Sequence, residues 1–249
     1  MQAHSSQIIP GPIFSSSSGE DGANNNRECS HEGTREEGAH PRTVIFDFDN
    51  TLFDTAHLLR DFLEYLSVCG IPHAILQSSF LQMKKEFPFM YNLSDHCRYI
   101  SAEGYPLTQN HPFITDFMDA SFATYVRDNV VEVMESLKHR NVRRILLTRG
   151  HPDFQPHKIQ KSGLSKYFNE IYICQEPKEE YLKRLILDDH TYFINDNLKE
   201  NTIIRTTYPT LHCILFVRPE GERPYDTKDI GNMACFDDFC DLDNHLRLT

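Results

Sequence analysis

Hydrophobic positions in this chain fall into short runs that end on polar residues. The run Arg42-Thr43-Val44-Ile45-Phe46 is β-branched and aromatic and stops at the carboxylate of Asp47, which predicts a buried strand. Similar runs follow at Val142 to Thr148, Glu170 to Cys174, Thr191 to Asn195 and Leu211 to Val217. The stretches between the later runs are long enough for short helices. Strands alternating with helices predict a parallel five-stranded sheet covered on both faces.

One interval breaks the rhythm. After Asp54, apolar residues recur at helical spacing (Leu58, Leu59, Phe62, Leu63, Leu66), with Asp54 or Thr55 as cap and Gly70 as stop. Ile75, Leu76, Phe80, Met83 and Phe87 continue in the same style, as do Phe113, Phe117, Ala120 and Tyr125 after Pro112. The pattern predicts a helical unit inserted over residues 56–126. A helix from about Asp128 to His139, with Val130, Val131, Met134 and Leu137 on one face, then leads back to the sheet. The α/β core is assigned to residues 41–55 and 127–249.

Residues 1–40 have almost no apolar periodicity and carry Ser15 to Ser18 and Asn24 to Asn26 as low-complexity islands. Acids outnumber arginines there, so the segment is expected to be a disordered acidic tail. With 39% hydrophobic residues, the remainder can bury a full core without covalent staples. The seven cysteines lie far apart with no C-x-x-C pair, which predicts reduced thiols in a cytoplasmic protein. No apolar run approaches bilayer length and no signal-type start is visible, so no membrane association is expected. A net charge of -11 argues against nucleic acid as a partner. A phosphorylated ligand would need that charge reversed locally, by a metal and a few cations.

In open parallel sheets ligands bind beyond the carboxyl ends of the strands. The polar residues there are Asp47 with Asp49, Thr148, Lys178 and Asp196. Two carboxylates two residues apart, with a hydroxyl, a lysine and a third carboxylate at neighbouring strand ends, can hold a hard divalent cation and set a phosphoryl group beside a nucleophilic oxygen. Asp47-Phe48-Asp49-Asn50-Thr51-Leu52 matches the D-x-D-x-T-L motif, and in this the chain resembles the haloacid dehalogenase-like superfamily. Ile145 to Thr148, Pro177-Lys178 and Phe193 to Glu200 resemble its second, third and fourth motifs, so the resemblance spans roughly Thr43 to Val217.

The resemblance implies a three-layer α/β sandwich with a Rossmann-like sheet and an inserted helical cap. It implies a phosphatase in which Asp47 is the nucleophile, Asp49 the acid and base, Thr148 a phosphate donor and Lys178 a charge neutraliser. Magnesium would be held by Asp47, the main-chain carbonyl of Asp49 and Asp196, with Glu200 as a further candidate. The substrate expected is a small phosphorylated metabolite. Dehalogenase relatives lack an acid two residues after the nucleophile, so Asp49 speaks for phosphate. Two departures fall in the fourth motif: Asn195 stands where Gly is usual, and Glu200 where Asp is usual. The alternatives are a phosphomutase and a binding or regulatory protein that kept the fold without turnover. Lys158 and Lys161 on the preceding helix are rivals of Lys178, and Pro177-Lys178 after the third strand is preferred. The histidines are read as mostly surface residues, and Arg149 as shaping the phosphate loop or bridging to the cap.

Overall fold

A computed structural model describes residues 42–87, 90–108, 110–218 and 225–248. The acidic tail expected over residues 1–40 lies outside them.

The first run forms β1 (Thr43–Phe46), whose four residues are all buried. It sits in the middle of a wholly parallel sheet with β2 (Arg143–Arg149) on one side and β4 (Thr191–Asn195) on the other. Beyond β2 lies β3 (Glu170–Cys174), and beyond β4 lies β5 (His212–Phe216). The sheet has six strands, not the expected five, in the order β3-β2-β1-β4-β5-β6. The added strand, β6 (Ala234–Phe236), is only three residues long, too short to show a period. It forms because β5 offers an open edge, and the ladder extends to Val217 N–H donating to Phe236 O at 2.7 Å.

Alternate side chains of each central strand face opposite layers, as strand geometry requires. Val44, Phe46, Leu146 and Ile194 pack on one face with α5 (Val130–His139), α6 (Phe154–Lys161) and α9 (Phe239–Leu248). Ile45, Ile145, Leu147 and Phe193 pack on the other with α7 (Lys178–Leu182) and α8 (Leu198–Thr207). These are the three layers of a Rossmann-like α/β fold.

Between β1 and α5 lie α1 (Thr55–Val68), α2 (His73–Glu86), α3 (Leu93–Ala102) and α4 (Pro112–Asp119). The start of α1 is set locally: Asp54 caps it by accepting from His57 N–H at 2.9 Å. Gly70 follows its end at φ 95°, a conformation open to glycine at little cost. No helix among the described residues is long and apolar enough to cross a membrane. The six described cysteines are free, and burial pushes the thiols of Cys97, Cys174 and Cys213 up to about 12.

One histidine departs from the surface reading. His96 on α3 is fully buried, edge-on to Phe62 and Tyr91, with the Ser79 hydroxyl 2.9 Å from Nε2 and the Tyr91 hydroxyl 3.0 Å from Nδ1. Burial lowers its pKa from 6.5 to about 4. The folded state therefore takes up this proton less readily than the unfolded chain. Stability from this group is complete above pH 6.5 and drains away as pH falls toward 4, by roughly 3 kcal/mol in all. Thermal midpoints measured across that window should fall less steeply for His96→Gln, which cannot titrate, than for the parent protein; parallel curves would remove His96 as the cause.

Candidate active site at the carboxyl ends of the strands

The main chain leaves β1 with Asp47 N–H donating to Ile194 O at 2.9 Å, which fixes Asp47 beside the end of β4. The chain then turns tightly. Leu52 and Phe53 N–H both donate to Phe48 O, and Asn50 adopts φ 60°, a left-handed conformation that asparagine tolerates. This turn aims Asp47 and Asp49 into one cavity of about 490 Å³, which Lys178, Asp196 and Glu200 also line. Thr148, on β2, is fully buried behind the cavity wall and is tied to it by Gln155, a lining residue whose Nε2 donates to Thr148 Oγ1 at 2.8 Å. Asp47, Asp49, Lys178 and Asp196 are therefore gathered around one opening, with Thr148 directly behind it.

Each carboxylate there has a cation. Lys178 opens α7 beyond β3, is buried, and lies 2.8 Å from Asp47 Oδ1 and 2.8 Å from Glu200 Oε2. The Asn195 side-chain amide also donates to Glu200 Oε2 at 2.8 Å. Asp196 accepts from Arg218 Nε at 2.6 Å, and its own N–H donates to Thr51 Oγ1 at 3.0 Å. Asp49 pairs with Lys158, whose ammonium is buried over the rings of Phe48 and Phe154. The Thr55 hydroxyl shares the same carboxylate oxygen with Lys158, and Gln155 Nε2 donates to the other at 2.7 Å.

Four carboxylates thus share three cations, with Asp47 and Glu200 both served by Lys178. Burial, which the Lys178 ammonium opposes, pushes Asp47 up to about 7, with Asp196 and Glu200 adding to the rise. Burial would lower Lys178, but Asp47 and Glu200 outweigh it and raise its pKa. Asp196 is raised by burial against the pull of Arg218 and Lys178. Asp49 behaves differently: burial raises it, yet the Lys158 ion pair and the hydrogen bonds from Lys158, Thr55 and Gln155 prevail and hold it below its usual value.

No three His, Cys, Asp or Glu side chains among the described residues form a ready metal cage. The chemistry of the donors nonetheless fits a hard cation. Asp47 and Asp196 are buried carboxylate oxygen donors that line one cavity, and magnesium takes few protein ligands and completes its shell with water.

Three neighbours were not assigned from sequence. Lys158, the sequence rival of Lys178, is in the site as well, on a different carboxylate. Gln155 stands one turn before Lys158, and this i, i+3 spacing on α6 could have signalled a shared face. Arg218 directly follows the β5 run, so extending the strand-end rule to the fifth strand would have found it. On the inserted helical segment Tyr91 lines the cavity, whereas Arg98 pairs with Asp95 at 2.6 Å and Tyr99 bonds Glu86. Arg149 Nε donates to Gln175 O at 3.1 Å, tying the end of β2 to the loop after β3.

A family model described as haloacid dehalogenase-like hydrolase matches residues 41–188. No curated protein matches the chain. Among solved structures, a haloacid dehalogenase-like hydrolase from Burkholderia xenovorans is 21% identical with a TM-score of 0.66, over 82% of this chain and 98% of that one. A HAD-hydrolase from Bacillus subtilis bound to magnesium is 18% identical with a TM-score of 0.55, over 84% and 99%. The L-2-haloacid dehalogenase of Xanthobacter autotrophicus is 13% identical with a TM-score of 0.57, over 84% and 99%. At these identities the neighbours speak for the fold, while the family model spans more than half of the sequence. The chain belongs to the haloacid dehalogenase-like hydrolases.

Proposed function

We propose that this protein is a magnesium-dependent phosphatase that hydrolyses a small phosphomonoester through an aspartyl-phosphate on Asp47. The observation that carries the reading is Asp49. A second carboxylate two residues beyond the nucleophile, held by three donors inside the same cavity, has work to do only if an oxygen must gain or lose a proton. Displacement of a halide from carbon asks for no acid at the leaving group.

In this reading Asp47 Oδ attacks phosphorus in line and the bond from phosphorus to the ester oxygen breaks. Asp49 delivers a proton to that oxygen as it leaves. In the second half Asp49 takes a proton from water as it attacks the aspartyl-phosphate, and inorganic phosphate departs. Thr148 donates to a phosphoryl oxygen, and Lys178 balances the charge that builds between Asp47 and the phosphate. Glu200 keeps Lys178 in place. Asp47, the carbonyl of Asp49 and Asp196 would hold magnesium, which would supply neutralisation of the phosphoryl charge beside Asp47. Residues 56–126 act as a cap that selects the leaving group and keeps bulk water out.

The non-catalytic reading has one observation on its side, the Arg218 guanidinium seated on Asp196. Assay of phosphorylated metabolites with magnesium separates the two: release of phosphate that Asp47→Asn abolishes supports the phosphatase, and no release from any of them favours the binding protein. Magnesium should support turnover where calcium does not, because calcium's larger, looser shell misplaces the phosphate. It should also raise the thermal midpoint of the parent but not of Asp196→Asn. Full turnover in excess chelator would overturn the metal requirement.

A further inference from the structure

Gln155 lies in the first turn of α6 and is almost wholly buried. Its Nε2 donates to Asp49 Oδ2 at 2.7 Å and to Thr148 Oγ1 at 2.8 Å, one proton for each. The orientation of the amide follows from its neighbours. Asp49 carries the Lys158 ammonium on its other oxygen, so a carbonyl turned toward it would face an acceptor. The amide oxygen points instead to Gly150, where an added Cβ would stand 2.5 Å from Gln155 Oε1.

Two consequences follow from one side chain. The Asp49 carboxylate is fixed in direction, with Thr55 and Lys158 on one oxygen and Gln155 on the other. The Thr148 oxygen must accept from Gln155, because an amide nitrogen offers only donors, so the hydroxyl proton of Thr148 is left for another acceptor. The absence of a side chain at Gly150 is what gives the amide its room.

We propose that Gln155 is the positioning residue that couples the two halves of this site, setting Asp49 for proton transfer and turning Thr148 into a donor toward the phosphoryl group. This rests on the phosphatase reading. It gives a function to residues 150 and 155 that neither the nucleophile nor the charge balance explains. Gln155 touches no reacting atom. It acts through Asp49 and Thr148.

The two actions leave different traces. Loss of the Thr148 donor slows phosphorylation of Asp47 for every substrate, whereas misdirection of Asp49 slows it further only where the leaving oxygen needs a proton. Single-turnover rates would be measured with magnesium on p-nitrophenyl phosphate and on an alkyl phosphate, for the parent, Gln155→Met and Gly150→Ala. Methionine keeps the length and removes the donor. Alanine keeps Gln155 but pushes its amide aside, a displacement that a flexible side-chain end can absorb without unfolding. Misplacement of about 1 Å at a reacting group costs on the order of a hundred-fold. Phosphorylation of Asp47, read as release of the leaving group within the first turnover, should therefore fall by about that factor in both variants with the alkyl phosphate and by about ten-fold with the aryl phosphate, with thermal midpoints close to the parent's. An equal loss on both substrates, or no loss in either variant, would overturn the assignment. A parent protein that cleaves neither phosphate would instead bring down the phosphatase reading, and with it this inference.

Discussion

Asp49→Asn should release nitrophenol from p-nitrophenyl phosphate in a burst close to one equivalent per active site and then nearly stop. The nitrophenolate leaves without a proton, so Asp47 can still be phosphorylated. Water attack on the aspartyl-phosphate then lacks its base, and removal of a general acid and base costs about a hundred- to ten-thousand-fold. An alkyl phosphate should give no burst, because its leaving oxygen needs the missing proton. In the resting structure Lys158, Thr55 and Gln155 favour the ionised form of Asp49, which suits the base role. The acid role needs Asp49 to be protonated before the ester bond breaks. The variant also strands the buried Lys158 without its carboxylate, so a lower thermal midpoint should accompany the burst. Asp47→Asn should remove burst and turnover alike. Near-normal activity in that variant would show that the nucleophile lies elsewhere.

Lys178→Met is expected to be the most damaging single change to stability and phosphorylation together. The ammonium is buried and is shared by Asp47 and Glu200, so its loss leaves two carboxylates without their ion-pair partner. Breaking a buried pair by deleting one partner typically costs about 3–5 kcal/mol. Removing an electrostatic stabiliser of the developing phosphoryl charge costs about a hundred- to a thousand-fold in rate. Denaturant unfolding and single-turnover phosphorylation would be measured on the same preparation, and Glu200→Gln in the Lys178→Met background should recover part of the stability but none of the rate. A double variant that regained the rate would mean that Lys178 serves only to neutralise Glu200.

The two lysines illustrate how far a linear pattern reaches. The position of Lys178 after a strand and at the opening of a helix points to it in the sequence, and in the structure it lies on Asp47. A strand-end rule has one place for one lysine, which makes Lys158 its rival in the sequence. In the folded chain there are two carboxylates to serve, and α6 passes close enough to Asp49 for Lys158 to serve the second. The separation in sequence between Asp49 and Lys158 is 109 residues, so no local period could pair them.

What the sequence determined by itself is local in origin. The apolar runs set β1 to β5, because a buried strand needs consecutive apolar residues. Asp54 set the start of α1, because a cap bonds within its own turn. The D-x-D spacing set Asp47 and Asp49 on one tight turn at the end of β1, and the strand ends of Thr148 and Asp196 followed from where their runs stop. The tertiary structure alone decided the rest. β6 exists because β5 had an edge to fill, a fact about sheet order that three residues cannot announce. Arg218 meets Asp196, Lys158 and Gln155 meet Asp49, and His96 is buried, because each depends on which elements the sheet brings side by side. Secondary structure is written in periods of two and 3.6 residues, which a chain displays along its length. The pairing of charges across a cavity is a property of packing, and it appears only when distant segments share one space.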